Sequence, residues 1–234
     1  MRPLPIACLL IVALMTNGCA HSPPDDPRDP LESVNRIVFS VNQVVDKYAL
    51  RPAARGYVVV VPSPMRRGVN NFFANLFYPR VAVSNLLQGK PKRAASDLAR
   101  FLVNTTIGLV GIFDVATPLG LERHYEDFGQ TFGVWGIGPG WYLVLPFYGP
   151  STNRDLVGRV VDGHLNPLAH TDRDTQIAAM VVYAIDKRSE FLGVDRLIED
   201  AFDPYLFVRG AYLERREARI KDAQGRGMDP TYEQ

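Results

Sequence analysis

The residue best placed to do chemistry in this sequence is a thiol. Cys19 follows Gly18 at the end of a short apolar run, Ile6 to Met15, that stands behind Arg2. A basic start and an apolar core too short to span a bilayer read as a secretory signal. A core that closes on Gly-Cys is the pattern of a bacterial lipoprotein signal, cut before Cys19, with its thiol as the nucleophile that receives the lipid. Thr16 stands where such signals usually carry leucine, and an ordinary secretory signal with a chance cysteine is the plainer alternative.

The other ionisable groups are sparsely arranged. His124, Glu126 and Asp127 form the densest cluster, and Asp162-Gly163-His164 with His170 a thinner one. Neither has metal-ligand spacing or a second histidine placed to complete a site. Both read as loop acids that cap or pair locally. Ser151 with His164 or His170 is the best nucleophile–base pair that could be assembled, for an anchored hydrolase. Gly136-x-Gly138-x-Gly140 lacks the strand–turn–helix setting and the following acid of a dinucleotide fingerprint. We therefore expect no catalytic residue, no metal site and no cofactor.

Charge and cysteine content narrow the class further. The chain carries 26 basic and 25 acidic residues, a net charge of +1. Loss of residues 1–18 removes Arg2 and leaves no net charge, which argues against nucleic-acid binding. It also removes Cys8, so an acylated Cys19 leaves no thiol for a disulfide or a Cys-ligated metal. An exported chain of this kind is held by packing alone.

The elements read mainly as helices. Residues 19–30 are polar and proline-rich, a flexible tether. Asp29 is the expected N-cap of a first helix, with Pro30 at its first position and apolar residues recurring from Leu31 to Val45. Residues 57–61 read as a strand by propensity. Pro64 to Phe77 reads as a helix, followed by a separate apolar piece from Pro79 to Leu87 and a break at Gly89. Lys92 to Thr106 carries the strongest helical pattern, with Ala95, Leu98, Phe101, Leu102 and Thr105 on one face. Further helices are expected over 173–186 and from Asp203-Pro204 to about Ala223, with Asp203 as cap. The charged end, residues 216–234, reads as a partly disordered tail. No window is long and apolar enough for a transmembrane helix, and no set of alternating segments suggests a barrel.

Residues 129–149 are rich in glycine and aromatics. Gly133, Gly136, Gly138 and Gly140 interleave with Phe132, Trp135 and Trp141, and Pro139-Gly140 suits a type II turn. Mobile backbone between interfacial aromatics suggests a gate loop, and a glycine-rich hairpin over an aromatic core is the simpler reading.

Taken in order, the blocks of this sequence resemble a known family. They are Asp29-Pro30-Leu31-Glu32-x-x-Asn35-Arg36, Asn71-Phe72-Phe73-x-Asn75-Leu76, Asn85-Leu86-Leu87-Gln88-Gly89 and Phe101-x-x-Asn104-Thr105-x-x-Gly108. Glu126-Asp127-Phe128-Gly129-Gln130-Thr131-Phe132-Gly133, Leu145-Pro146-Phe147-Tyr148-Gly149-Pro150 and Asp203-Pro204-Tyr205 follow. The chain resembles the MlaA (VacJ) family of outer-membrane lipoproteins from about residue 29 to 215. The resemblance implies a mainly α, ring-shaped helical domain over residues 31–215, with in-plane amphipathic helices, lying in the outer membrane. It implies removal of phospholipid from the outer leaflet through an amphipathic channel, which maintains lipid asymmetry. The implied partners are a trimeric porin and a periplasmic lipid-binding protein that delivers to an inner-membrane ABC transporter.

The physical chemistry of such a cargo is compatible with these residues. Carrying a phospholipid bare through water exposes roughly 30 methylenes, a cost on the order of 20 kcal/mol. A lipid mover thus needs an apolar path for tails and a polar lining for the headgroup, with no nucleophile. A tethered adaptor that moves nothing is the alternative; an axial pore through the domain would speak against it, and a solid core would support it.

Overall fold

The computed structural model describes residues 26–224. The signal, Cys19, most of the tether and the end of the tail lie outside the described residues. The elements run α1 (Glu32–Val45), a π-helical turn (Asp46–Leu50), α2 (Arg51–Val60), α3 (Ser63–Leu87), α4 (Pro91–Thr106) and α5 (Phe128–Val134). After these come β1 (Tyr142–Leu145), β2 (Gly149–Thr152), α6 (Asn153–His164), α7 (Arg173–Glu190), α8 (Asp195–Glu199) and α9 (Pro204–Ala223). Among the described residues no helix is long and apolar enough to cross a membrane.

The start of α1 differs from the expected cap. Asp29 is fully buried, and its carboxylate accepts hydrogen bonds from Asn35 Nδ2 at 2.8 Å, from Arg209 at 2.8 Å and from the Tyr205 hydroxyl. These charge-assisted bonds across the chain outcompete the local amides. The helix begins at Glu32 with no side-chain cap.

Residues 57–61 are not a strand. They close α2, and Val61 turns extended (φ −97°, ψ 117°) before Pro62, whose ring disfavours a helical predecessor. Their β-branched side chains point outward, Val59 being 84 % exposed, so no neighbouring strand rewards their propensity. Pro79 does not divide α3 either. The helix continues through it, losing one backbone bond while its flank stays packed on α4. Gly89, at φ +76°, makes the expected break between α3 and α4.

The two strands form an antiparallel hairpin in which Tyr142 faces Thr152 and Leu145 faces Gly149. Its tip holds Phe147 and Gly149 at positive φ. The free edge of β1 is completed by a helix. Asn35 donates to Tyr142 O at 3.0 Å and accepts from Val144 N at 2.9 Å. Asn42, two turns on, donates to Leu145 O at 3.0 Å and accepts from Phe147 N at 2.9 Å. Tyr142, Val144 and Tyr205 form a small apolar cluster where the hairpin meets α1 and α9.

Helix α9 begins as expected, with the Asp203 carboxylate accepting from Tyr205 N at 2.9 Å. It ends at Ala223, where the sequence pattern places its end. Arg216 and Ile220 on its last turns pack inside the fold.

Candidate functional site

The amphipathic faces are inverted. On α4 the residues turned inward are Asp97, Arg100 and Asn104, with Arg100 and Asp97 both 0 % exposed. The apolar face points out, leaving Leu98 51 % and Leu102 53 % exposed. The turn after α4 repeats this. Leu109 and Val110 adopt positive φ and present bare side chains beside exposed Ile107, Ile112 and Phe113. A left-handed valine is strained. Outward apolar side chains continue on α1 (Ile37, Val41, Val44), α6 (Val157, Val160) and α7 (Ile177, Met180, Val181).

The interior is held by charge. Arg100 donates to Asp114 at 2.7 Å, to Thr117 at 3.1 Å and to Leu121 O. Burial alone would raise the Asp114 carboxyl, but bonds from Thr117, Arg100 and Asn104 outweigh it and hold it well below the usual carboxylate range. Asp97 accepts from Asn85 at 2.7 Å and lies 2.8 Å from His124 Nδ1. Asp127, the N-cap of α5, takes a bidentate pair from Arg216 at 2.6 and 2.9 Å. The same guanidinium reaches Asp155 of α6 at 2.7 Å, and Tyr212 donates to Asp155 at 2.6 Å. Buried ion pairs bring little net stability, but removing one partner strands the other.

Between α3, α5, α7 and α9 this interior opens into a cavity of about 160 Å³. Arg80, Lys187 and Arg219 line it with Glu126 and Asp127, and Ala74, Phe77, Val81 and Tyr183 form an apolar wall. Arg80 lies over the Phe77 ring, 4.8 Å from its centroid. Glu126 is held by Lys90 at 3.3 Å.

The sequence-level candidates fall around this cavity unevenly. His124, Glu126 and Asp127 all line it, although their spacing had suggested only local pairing. Gly133 lies within α5, where an added Cβ would come 2.5 Å from Ile220. Gly136 and Gly140 adopt φ of +89° and +67°, as glycine permits, and Gly138 has open space around it. The segment is pinned, since Arg154 takes up Ile137 O and Pro139 O, and Trp135 Nε1 donates to Leu87 O at 3.0 Å. Ser151 is fully buried and donates to Thr152 O, while His164 and His170 face backbone oxygens. The hydrolase pair is not assembled. Among the described residues no group of His, Cys, Asp or Glu is arranged to hold a metal ion.

Sequence reasoning missed Arg80 and Arg219. Arg80 has no motif around it, and Arg219 lies in a stretch charged on most sides, which reads as a solvated face.

Helices with apolar faces outward, and ion pairs beside a cavity of mixed lining, define an inside-out helical protein. The chain belongs to the MlaA lipoprotein family, whose model matches residues 27–219. It is 36 % identical to the intermembrane phospholipid transport system lipoprotein MlaA of Escherichia coli K12, over 92 % of this chain and 88 % of that protein. The protein of that name from Haemophilus influenzae is 33 % identical, over 96 % and 93 % respectively. A solved structure described as the structural basis for maintenance of bacterial outer membrane lipid asymmetry superposes with a TM-score of 0.75. It is 37 % identical and covers 82 % of this chain and 98 % of its own.

Proposed function

We propose that this chain is an outer-membrane lipoprotein that withdraws misplaced phospholipid from the outer leaflet and passes it to the periplasmic side. The inversion of α4 carries the reading. In water, exposed Leu98 and Leu102 over buried Arg100 would be the wrong way round. In a bilayer the outward leucines lie among acyl chains, and the inward charges surround a path for the headgroup. The exposed aromatics Trp135, Trp141 and Tyr148 suit the headgroup level. The cavity and the cations that line it support the transport reading, which needs room for a headgroup.

In this reading Cys19 carries the acyl anchor and delivers the protein to the membrane, and Gly133, Gly136, Gly138 and Gly140 belong to a gate beside the channel. A trimeric porin supports the domain. A periplasmic lipid-binding protein takes the lipid toward an inner-membrane ABC transporter. The relatives' names and the description of the solved structure that superposes on this chain support the lipid cargo.

The test is loss of the gene, followed by measurement of surface phospholipid through its cleavage by added phospholipase. Surface phospholipid rises and falls back when the chain is restored; no rise overturns the reading. Gly138→Pro, at a position where an added Cβ meets nothing within 4 Å, stiffens the loop. Full complementation by that variant overturns the gate.

A further inference from the structure

The cations around the cavity are not equally engaged. Lys187 is bound to Glu190 at 3.0 Å and Arg216 to Asp127 at 2.6 Å. Arg219, half-buried at the cavity wall, makes no ion pair or hydrogen bond among the described residues. Burial, then the neighbouring Arg215 and Arg216 charges, loosen its hold on its proton. Arg80 approaches Asp162 only to 3.9 Å, and its buried Nε has no partner. Asp162 also accepts from Phe128 N at 3.3 Å and stands outside the lining of the cavity. The two carboxylates of the lining, by contrast, are already committed to Lys90 and Arg216. The cavity is therefore short of an anion and has no free acid to receive a cation.

We propose that Arg80 and Arg219 form a phosphate site that favours an anionic phospholipid, of the phosphatidylglycerol class, over a zwitterionic one. The guanidinium pair meets the phosphate with charge-assisted hydrogen bonds. A zwitterionic headgroup brings an ammonium into the same space, where both acids are occupied and two guanidiniums repel it. The cavity, about 160 Å³, exceeds roughly tenfold the ~15 Å³ that one water requires, so a headgroup fits. Its apolar wall of Phe77, Val81 and Tyr183 receives the start of the acyl chains.

The proposal rests on the transport reading, and the experiment separates the two. The full-length protein and its R80Q/R219Q variant are purified in mild detergent, and the phospholipids that come with each are quantified by mass spectrometry. Wild type holds phosphatidylglycerol in excess of its share of the source membrane. In the double variant the ratio of phosphatidylglycerol to phosphatidylethanolamine falls about tenfold, the change that 1.4 kcal/mol sets. R219K keeps the charge and most of the preference, and R173Q, an exposed cation away from the cavity, keeps all of it. An unchanged ratio with lipid still bound overturns the headgroup site and leaves transport standing. No lipid on wild type overturns both. If R80Q/R219Q does not fold, R80Q and R219Q singly give the same readout. In a second arm, inorganic phosphate is titrated against lipid-loaded protein. Displacement of lipid by phosphate at millimolar level identifies a soluble-anion site and overturns the lipid assignment.

Discussion

Replacing Leu98 and Leu102 together by glutamine tests the inverted face directly. Both side chains lie on the outer side of α4 and are about half exposed, at 51 % and 53 %. Full burial of a leucine yields about 1.5–3 kcal/mol, so half of each in lipid contributes ~1 kcal/mol, and the pair ~2 kcal/mol. Two kilocalories correspond to roughly a 30-fold change in partition. The assay is binding of the Cys19→Ala chain, which lacks the thiol proposed to carry the acyl anchor, to phospholipid vesicles at increasing lipid concentration. Partition of the L98Q/L102Q form drops by about that factor, while its helical content by circular dichroism is unchanged. If α4 instead met water, two surface substitutions would shift stability within about 0.5 kcal/mol and leave partition alone. Unchanged vesicle binding, or a loss of folding in place of a loss of binding, refutes the argument.

Three further outcomes follow from the interior. Arg100→Met leaves Asp114 buried with Arg123 at 2.9 Å as its remaining cation, and lowers stability by about 3 kcal/mol in chemical unfolding; a cost under about 1 kcal/mol would mean the cluster is solvated. Asp162, pushed up to about 6 from 3.8, binds its proton more tightly folded than unfolded, so it lowers stability as pH rises from about 4 to about 6 and keeps it lowered above that. Asp162→Asn therefore raises the melting temperature at pH 7, by the equivalent of up to about 3 kcal/mol, and flattens the slope between pH 4 and 6; parallel profiles would refute it. Gly158 faces Gly129 so closely that an added Cβ would come 2.3 Å from Gly129 N. Gly158→Ala thus forces α5 from α6 and costs about 1–3 kcal/mol in thermal unfolding, whereas Gly163→Ala, in open space, does not.

The helices were legible in the sequence wherever a local signal decided them. Asp203-Pro204 states its own cap and first turn, and the period over 92–106 leaves no room for a strand. What the period could not say was which face is inside. It reports that apolar and polar residues separate, and the same separation serves a helix with water outside or with lipid outside. Residues 57–61 misled for a related reason, since a valine run that reads as a packed strand is equally content to face acyl chains from a helix. Asp29 was misassigned because its partners, Tyr205 and Arg209, lie on α9, at the far end of the chain. At the site, the cluster of His124, Glu126 and Asp127 was visible, but not that α3 and α9 bring Arg80 and Arg219 to it. That convergence depends on helix packing, and a lone arginine carries no trace of it.

The asparagines of α1 have a consequence for the life of the chain before it is installed. A lone hairpin has two unpaired edges, and a chain crossing an aqueous compartment could be joined there by another copy. Asn35 and Asn42 occupy the β1 edge with carboxamides instead of a strand. The closure is also selective for register. A slip of one residue would send Tyr142 O and Val144 N, the groups that Asn35 binds, to the opposite side of the ribbon, and that clip would open. The helix thus acts as a ruler that admits one alignment of the hairpin and caps its edge against aggregation.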